Sequence, residues 1–469
     1  MSVGRHPIDE ALAATFPPGV VFAVGGRVRD DLRAAMAGIV STPKDLDYVV
    51  VGLAQDEVEA RLRRIGRVDV VGASFAVLKF RADAGEADIA LPRRERSTGA
   101  GHRDFAIESG PEIPLEDDLS RRDFRMNMIA RRIDDDAIVD PYGGVADIQA
   151  RRIDIVAEAT FRDDPLRLLR AAQFAARFGF TPTDRTVAAM TDAAALVTTV
   201  SGERIGDEIT KLLGAPQPSV GIELLRTTGV LTHLWPELLE GVGVEQNQWH
   251  AYDVYRHALA TMDAAPAGDP VLRLAALLHD VGKPRTAAPR PDGRGNTFYS
   301  HEIVGADMVP AMLGRLRSST ETVEAITRLV RHHMYAADPQ QPAKTVRRFV
   351  RRVGAGHLPR LFALRHADVT GSGLPEHGPG TNAAFEARVA AVLAERPPLG
   401  VTDLAIGGAE IIALLVARGL AAPDFRGDRR VGTVLAALLE EVLDDPARNE
   451  AGFLTAAANR HLDEHFVTS

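Results

Sequence analysis

Two aspartates in the segment DLDYVV, Asp45 and Asp47, are the first residues in the chain whose spacing suggests chemistry. The apolar run around them predicts a β-strand, and the period of two in a strand directs both carboxylates to one face. Paired carboxylates are hard oxygen donors of the kind that Mg²⁺ prefers. The pair therefore predicts a magnesium site, although an Asp-x-Asp pair alone is also common at solvated strand starts.

A glycine pair precedes these aspartates, at the end of the predicted strand GVVFAV. Gly25 and Gly26 lead into RVRD and a helical stretch, which predicts a glycine turn at a helix N-terminus. Backbone N–H groups at such a terminus bind phosphate. The sequence thus places a candidate triphosphate cradle beside a candidate metal site.

Five blocks in a fixed order resemble the class II tRNA nucleotidyltransferases, the CCA-adding family, which share their catalytic head with bacterial poly(A) polymerases. The blocks are GGRVRD at 25–30, DLDYVV at 45–50, RRDFRMN at 121–127, DPYGGVADI at 140–148 and DDPLRLLRAAQFAARFGF at 163–180. The resemblance covers nearly the whole chain. It implies addition of CCA to the 3′ end of tRNA from CTP and ATP, with Mg²⁺ and without a nucleic-acid template.

The resemblance also implies roles for individual residues. Asp45 and Asp47 would hold two Mg²⁺ ions, and Asp88 on the strand EADIA is a weaker candidate for a third carboxylate. The residues implied to bind the nucleotide are Gly26, Arg29 and Arg122 at the phosphates, Asp123 at the ribose, and Asp164, Arg167 and Arg170 in the block DDPLRLLR. Asp163 and Gln173 depart from the family pattern and leave fine nucleotide preference open, whereas the departure at Arg125 leaves the metal chemistry untouched.

The block DDPLR is expected to begin a helix, with Asp164 as N-cap and Pro165 as the first helical residue. In the family, the residues matching Asp164 and Arg167 act as a protein template. An Asp acceptor beside an Arg donor matches the amino group and ring nitrogen of C and of A, whereas G and U reverse that order. The pair would reject GTP and UTP because a mismatch leaves buried polar groups unpaired. A well-capped helix with surface arginines is the plain alternative.

The second half of the chain carries a series of histidines and aspartates in the order H…HD…H…H…D. They are His257, His279, Asp280, His301, His333 and Asp368, with HD followed by VGK. This order resembles an HD-domain metal site, where histidine and aspartate together suit a transition metal such as Ni²⁺, Mn²⁺ or Co²⁺, or a di-metal centre. Some family members use the domain to hydrolyse phosphodiesters or phosphomonoesters, including 2′,3′-cyclic ends. In others it is only part of the tRNA-binding body.

The net charge of −9 argues against a protein that coats nucleic acid by bulk electrostatics. An RNA partner therefore needs a local basic surface, and the run from Lys344 to Arg365 is one candidate, with a solvated helix face as the equal alternative. The chain has no cysteine, no signal-peptide core and no apolar run long enough for a membrane span. These features predict a cytoplasmic protein with no membrane partner.

The predicted fold class is α+β, because strand-like runs dominate residues 1–150 and helical spacing dominates the rest. Four parts are predicted: a nucleotidyltransferase catalytic head at 1–150, a helical neck with the nucleotide-selecting motif at 151–215, an HD phosphohydrolase-like domain at 216–395, and a helical, tRNA-binding tail at 396–469. Residues 90–124 resemble the family's flexible loop. Relatives that add only CC tend to have a shortened loop, so this length favours addition of the terminal A.

Three other functions remain open at this stage. A relative with the same head could add only A, only CC, or a poly(A) tail. From a different class, the HD domain could be the main hydrolase and the head a non-catalytic RNA-binding module. A wholly non-catalytic RNA-binding protein would leave two complete metal sites unused. The sequence does not determine the oligomeric state.

Overall fold

The computed structural model of the 469-residue chain describes residues 5–39, 45–71, 77–97, 105–246, 250–290, 295–374 and 382–466. The chain divides into two compact units. The first consists of Met1–Leu239 with Arg315–Arg317, and the second of Glu240–Gly314 with Ser318–Ser469. The strands lie mainly in the N-terminal part and helices form most of the rest, which confirms the predicted α+β class.

A seven-stranded mixed sheet forms the centre of the first unit, in the order β3-β4-β5-β2-β1-β8-β9. Strands β2 and β5 run parallel, and the other neighbours in the sheet run antiparallel. The strands of this unit are β1 (Val21–Val24), β2 (Asp47–Val50), β3 (Arg67–Val71), β4 (Val77–Ala82), β5 (Gly85–Ala90), β6 (Arg93–Ser97), β7 (Phe105–Ser109), β8 (Ala130–Arg132), β9 (Ile138–Val139), β10 (Arg152–Ile153) and β11 (Thr181–Pro182).

Helices surround this sheet and continue beyond it. They are α1 (Pro7–Thr15), α2 (Gly26–Ala37), α3 (Gln55–Leu62), α4 (Leu115–Ser120), α5 (Gly144–Gln149), α6 (Thr160–Asp163), α7 (Arg167–Phe178), α8 (Asp184–Ala193), α9 (Gly202–Leu213), α10 (Pro218–Thr227), α11 (Val230–Leu234) and α12 (Pro236–Leu239). Helix α7 buries Leu168, Ala171 and Ala175 as an apolar stripe, so its opposite face is left for polar residues.

The second unit is helical apart from one short antiparallel pair, β12 (Ala288–Pro289) with β13 (Asn296–Thr297), among the residues described there. Its helices are α13 (Val254–Ala264), α14 (Pro270–Leu278), α15 (Lys283–Thr286), α16 (His301–Gly314), α17 (Thr320–His332), α18 (Ala343–Val353), α19 (Leu358–Gly371), α20 (Ala383–Ala394), α21 (Gly408–Ala417), α22 (Arg429–Asp444) and α23 (Ala451–Phe466). The bounds of the four predicted domains stay predictions.

Three local expectations need correction. Strand β2 begins at Asp47, so Asp45 precedes the strand instead of lying in it. Helix α7 begins at Arg167 and not at Pro165, because residues 164–166 form a turn in which the Arg167 N–H bonds to the Asp164 carbonyl. The segment 90–124, which resembles the family's flexible loop, contains the antiparallel pair β6–β7 and helix α4. Residues 98–104 of that segment lie outside the described residues.

A buried ionic network ties helix α1 to the sheet below the glycine turn. Both oxygens of Asp9 accept hydrogen bonds from Arg27, and Tyr48 and Arg131 donate to the same carboxylate. Burial opposes ionisation of Asp9, but the Arg27 guanidinium prevails and lowers the pKa of Asp9 to about 2. Removing one partner from such a network leaves an uncompensated buried charge, so these residues support the turn at Gly25–Gly26.

The basic run between Lys344 and Arg365 packs against acidic groups of its own unit. The buried Arg347 donates to the carbonyls of Leu443 and Asp444, while Arg348 and Arg351 both pair with Glu440. These contacts hold α18 against α22, so part of the charge of the run is already paired within the unit.

Across the described ranges, no helix combines the length and apolar character needed to cross a membrane.

Candidate functional sites

The glycine turn joins β1 to α2 as the sequence predicts. Gly25 has φ of 73°, in the left-handed region, and α2 begins at Gly26. A Cβ atom at Gly25 would lie 2.8 Å from Nη1 of Arg122 and 3.8 Å from Oδ2 of Asp47. Glycine is thus required for both conformation and close approach. With no side chain at the N-cap, the first N–H groups of α2 remain available for an anion.

Two carboxylates lie beside this turn. Asp47 opens β2, and Asp45 stands exposed two residues before it. Burial raises the pKa of Asp47; Arg122 opposes this, and the carboxylates of Asp88 and Asp45 add to it. A divalent cation would stabilise the ionised form of Asp47 against burial and against the neighbouring carboxylates. The donor atoms of Asp45 and Asp47 are all oxygens, which fits Mg²⁺.

Asp88 lies on β5, directly opposite Asp47 in the parallel pair β2–β5. Its side chain is 45% exposed, and Oδ1 lies 3.7 Å from Nζ of Lys79. Among the described residues, Asp45 and Asp47 line the cleft next to the turn, whereas Asp88 does not. The third-carboxylate role stays a prediction.

The RRD block follows helix α4, and a buried aspartate in that helix holds its two arginines. Asp118 accepts hydrogen bonds from Arg121 at 2.9 Å and Arg122 at 3.0 Å. Burial opposes ionisation, but Arg122 and Arg121 lower the pKa of Asp118. The sequence analysis missed this residue, although its i,i+3 and i,i+4 spacing to the arginines was a usable signal.

Asp123 links two walls of the cleft. Its Oδ1 accepts from the Phe124 backbone and from Asn127, and its Oδ2 accepts from Arg170 at 2.8 Å. Asn127 in turn accepts from Arg29 at 2.6 Å. Burial opposes ionisation, but Arg170 and Asn127 lower the pKa of Asp123. The predicted ribose residue is therefore ionised and fixed in place.

The predicted template pair lies at the start of α7. Arg167 donates to the carbonyls of Thr160 at 3.3 Å and Arg121 at 2.5 Å, which orients its guanidinium and uses two of its five N–H donors. The Asp164 carboxylate accepts from the Leu166 N–H, and both of its oxygens lie 3.3 Å from Nη2 of Arg204. Arg204, on α9, has no counterpart in the sequence motifs and was not foreseen.

Arginines and phenylalanines alternate along one wall of the cleft. The guanidinium carbon of Arg33 lies 4.0 Å from the Phe178 ring centroid, and those of Arg29 and Arg177 lie 4.6 and 4.9 Å away. Phe174 stacks on Phe178 at 5.6 Å. These contacts hold long cationic side chains in extended positions while leaving their charge in place.

The glycine turn, Asp45, Asp47, the RRD block, the Asp164–Arg167 pair and the arginine–phenylalanine wall surround one cleft of about 1230 Å³ within the first unit. Ten arginine or lysine and six aspartate or glutamate side chains line it. The cleft is therefore electropositive on a chain whose net charge is −9, which suits a triphosphate and an RNA end.

The histidines and aspartates of the second unit converge as predicted. His257 comes from α13, His279 follows α14, and Asp368 comes from α19. His301 opens α16 and His333 follows α17. Five segments far apart in sequence thus supply the cluster.

The carboxylate of Asp280 lies between two groups of histidines. Its Oδ2 is 3.1 Å from Nε2 of His279 and 3.4 Å from Nε2 of His257, whereas Oδ1 is 3.2 Å from His301 and 3.6 Å from His333. Asp368 completes the first group, with Oδ1 3.1 Å from His257. Each of these groups, His257–His279–Asp280 and Asp280–His301–His333, has its ligand atoms within 4.8 Å of one another.

Backbone carbonyls fix the direction of every histidine ring in the cluster. Nδ1 of His257 faces the Gly371 carbonyl, and Nδ1 of His279 faces that of Ala276. Nδ1 of His301 and Nδ1 of His333 each lie 2.7 Å from the backbone carbonyl oxygen three residues earlier in the chain. A proton on each Nδ1 leaves Nε2 as the free lone pair toward Asp280, which is the arrangement of a metal-binding histidine.

The glycine in HDVGK has a packing reason. A Cβ atom at Gly282 would lie 2.3 Å from the His301 carbonyl and 2.6 Å from the Gly305 N–H. A glycine here lets the chain after Asp280 approach α16 closely enough for Asp280 to reach His301.

The cluster carries a strong negative potential. Burial opposes protonation, but Asp280 and Asp368 raise the pKa of His279 to about 10. Both oxygens of Asp280 are buried, with imidazole nitrogens close to each of them. These properties and the mixed imidazole–carboxylate donors fit transition-metal ions.

A separate cleft of about 510 Å³ opens onto this cluster. Lys283 lies in it, with Nζ 2.6 Å from Oδ2 of Asp280, together with Arg365, 3.7 Å from Asp368. His250, which the sequence analysis did not select, forms a further group with His257 and Asp368, and burial lowers its pKa to about 3. The cations suit a phosphate group in front of the metal ligands.

Comparison with known proteins identifies each of these regions. Residues 21–154 match the poly A polymerase head domain, residues 179–241 a probable RNA- and SrmB-binding site of polymerase A, and residues 250–370 the HD domain. An A-adding tRNA nucleotidyltransferase of Deinococcus radiodurans is 36% identical over 442 residues, which are 91% of this chain and 92% of that protein.

The chain belongs to the tRNA nucleotidyltransferase and poly(A) polymerase family. A multifunctional CCA protein of Ralstonia nicotianae is 37% identical over 67% of this chain and 72% of that protein. The CCA-adding enzyme of Bacillus stearothermophilus shares the fold, with a TM-score of 0.61 at 23% identity over 95% of this chain and 94% of that one. Family membership confirms the predicted family and the predicted nucleotidyltransferase class. The roles of the individual site residues stay predictions.

Proposed function

We propose that this enzyme completes the CCA end of tRNA, using CTP and ATP and no nucleic-acid template. The observation that carries the proposal is one electropositive cleft around Asp45, Asp47, the Gly25–Gly26 turn and the pair Asp164–Arg167. One cleft thus holds a metal-binding pair, a phosphate cradle and a candidate base reader.

The chemistry follows from where these groups stand. The primer 3′-hydroxyl attacks the α-phosphate of the incoming nucleotide, and pyrophosphate leaves. Mg²⁺ held by Asp45 and Asp47 would supply charge neutralisation at the attacking and leaving oxygens. The N–H groups at the start of α2 and the guanidinium of Arg122 hold the triphosphate, and Asp123 retains acceptor capacity for a ribose hydroxyl.

Base selection rests on Asp164 and Arg167. Two backbone carbonyls orient the Arg167 guanidinium, so its remaining N–H groups point in a fixed direction. An amino group of C or A would donate to Asp164 while Arg167 donates to the adjacent ring nitrogen. G and U would leave both protein groups unpaired.

An A-adding product is the second candidate, because the D. radiodurans relative matches 92% of its own length and carries that activity in its name. The CCA proteins match over shorter shares. The two candidates differ in whether C is added to a tRNA that lacks it.

Purified enzyme with Mg²⁺ is therefore given tRNAs that end at the discriminator base, at C and at CC, with each NTP alone and in pairs, and the 3′ ends are sequenced. Addition of CCA to the shortest tRNA is expected. Addition of A only to tRNA ending in CC would establish the A-adding function, a stop at CC would indicate a CC-adding enzyme, and long A tails would indicate a poly(A) polymerase.

We further propose that the second unit hydrolyses phosphate esters, including 2′,3′-cyclic phosphate ends. Two ligand groups that share Asp280 support this, because transition-metal ions bound there would activate water and polarise the phosphate. Lys283 and Arg365 hold the anionic ester in front of those ligands. The test adds Ni²⁺, Mn²⁺, Co²⁺ or Mg²⁺ with a tRNA that ends in a 2′,3′-cyclic phosphate. If no metal supports hydrolysis, the cluster is a structural part of a tRNA-binding body.

A further inference from the structure

Two exposed apolar side chains stand at the mouth of the cleft that opens onto the histidine cluster. Tyr299 is 82% exposed and Met334 is 55% exposed, and both line this cleft. Tyr299 precedes His301 by two residues, and Met334 directly follows His333. Asp280, His301 and His333 are buried, so the cleft has a charged inner end and an apolar outer edge.

The backbone fixes the outward position of Tyr299. The Phe298 carbonyl, on one side, accepts hydrogen bonds from the ring and the backbone N–H of His301. Ser300, on the other side, has φ of 62°, and its carbonyl accepts from the Ile303 N–H. A non-glycine residue in the left-handed region is strained, and such strain concentrates at ligand-binding sites. The turn holds Tyr299 at the cleft mouth while Phe298 packs inward.

The rest of the cleft indicates what the ring meets. Lys283, Arg290 and Arg365 line it, which favours an anionic ligand. The cleft, at about 510 Å³, is within the range of small-molecule sites and leaves room beyond the phosphate. The cationic inner end and the apolar outer edge of the cleft therefore favour a ligand that has an anionic ester at one end and a flat apolar group at the other.

We propose that Tyr299, with Met334, which lines the same cleft, forms a stacking platform for the nucleobase of a nucleoside phosphate. This inference rests on the proposed hydrolase function and adds two substrate-positioning residues to it. A phenol ring stacks on any base, and a thioether makes favourable contacts with aromatic rings. The platform selects for the presence of a base but discriminates little between bases.

The test compares two substrates that differ only in the base: adenosine 2′,3′-cyclic phosphate and 1-O-methylribose 2,3-cyclic phosphate. Full-length enzyme loaded with Ni²⁺ or Mn²⁺ is assayed as wild type, Tyr299→Ala and Tyr299→Phe. Ile303→Ala is the matched control, because Ile303 is an exposed apolar residue two positions after His301 and does not line the cleft.

Tyr299→Ala is expected to raise KM for the adenosine substrate about 10- to 100-fold with little change in kcat, since base stacking contributes about that factor. Its KM for the methylribose substrate should be unchanged, and Tyr299→Phe and Ile303→Ala should resemble wild type. Equal KM changes for both substrates, or none, would overturn the platform.

Equilibrium binding separates this inference from hydrolysis itself. Adenosine 2′-phosphate is titrated into the metal-loaded protein, and only the binding that Asp280→Ala abolishes is counted. If wild type hydrolyses nothing but Tyr299→Ala weakens this binding, the platform holds and the hydrolase proposal fails. If no Asp280-dependent binding is found, the platform is wrong. A short RNA with a 3′ cyclic phosphate, compared with the mononucleotide, shows whether an RNA end or a free nucleotide fits better.

Discussion

The cleft of the first unit and the histidine cluster of the second are both candidate metal sites that contain carboxylates, but their donor groups and their burial differ. The first offers carboxylate oxygens at the edge of a large cleft rich in arginine. The second offers buried imidazoles whose directions are fixed by backbone carbonyls around a shared carboxylate.

The comparison shows that the type of donor atom and its burial decide which metal ion each site suits. Oxygen donors beside an open cleft suit Mg²⁺, which keeps part of its water and binds with substrate phosphates. Preoriented imidazoles suit transition metals that stay on the protein. Two phosphate chemistries can therefore share one chain without sharing a metal.

The strongest test of this separation is loss of the first site alone. Asp47→Ala should reduce nucleotide addition at least about 1000-fold, because a metal ligand acts on the transition state. Binding of tRNA and hydrolysis of a cyclic phosphate should be unchanged. Asp88→Asn is the matched control. It should reduce nucleotide addition less than Asp47→Ala does, since Asp88 does not line the cleft within the described residues. Near wild-type addition by Asp47→Ala would refute the two-metal assignment.

The reciprocal change removes the second site. His279→Ala with Asp280→Ala should abolish metal-dependent hydrolysis and transition-metal binding, measured by metal content after dialysis. Nucleotide addition should remain within about threefold of wild type, because its ligands are elsewhere. His332→Ala is the control, since His332 adjoins His333 without belonging to either ligand group. A folded double variant that lost addition as strongly as hydrolysis would show that the sites depend on each other.

A third change concerns Asp164 and Arg167, the pair proposed to select the base in the first cleft. Replacing both Asp164 and Arg167 with Ala should lower the preference for CTP over UTP by about 100-fold or more, because the hydrogen-bond order that rejects U is lost. The ratio of kcat/KM values for the two nucleotides measures this. Unchanged selectivity would mean that another group reads the base.

The smallest expected effect is at Arg204, which contacts both oxygens of Asp164. Its side chain is 54% exposed, so the pair contributes at most about 1 kcal/mol. Arg204→Gln should therefore lower the CTP-to-UTP preference about two- to fivefold by releasing Asp164. An improved kcat/KM for CTP would instead show that Arg204 competes with the nucleotide.

Much of the fold and of both candidate sites could be predicted because the signals are local. The strand runs around Val24 and Val49, the glycine pair and the apolar stripe of α7 reflect periodicity and backbone conformation, which neighbouring residues decide. The first residues of helices and strands were predicted less accurately. Helix α7 begins at Arg167 because a turn precedes it, and strand β2 begins only at Asp47.

The basic run on α18 shows where such reasoning ends. Its composition suggested a possible RNA surface, yet Arg348 and Arg351 pair with Glu440, about ninety residues later in the chain. Charge in a sequence does not specify its partner, since Coulomb attraction depends on distances that only folding sets.

The sequence by itself determined the family, the glycine turn, the aspartate pair and the order of the histidine ligands, because these depend on residue type and short spacing. Only the tertiary structure decided that Arg204 covers Asp164 and that Asp280 lies between two pairs of histidines. These contacts join segments that are distant in sequence or orient side chains within a packed site. Their geometry follows from how helices and strands pack, and no local pattern contains that information.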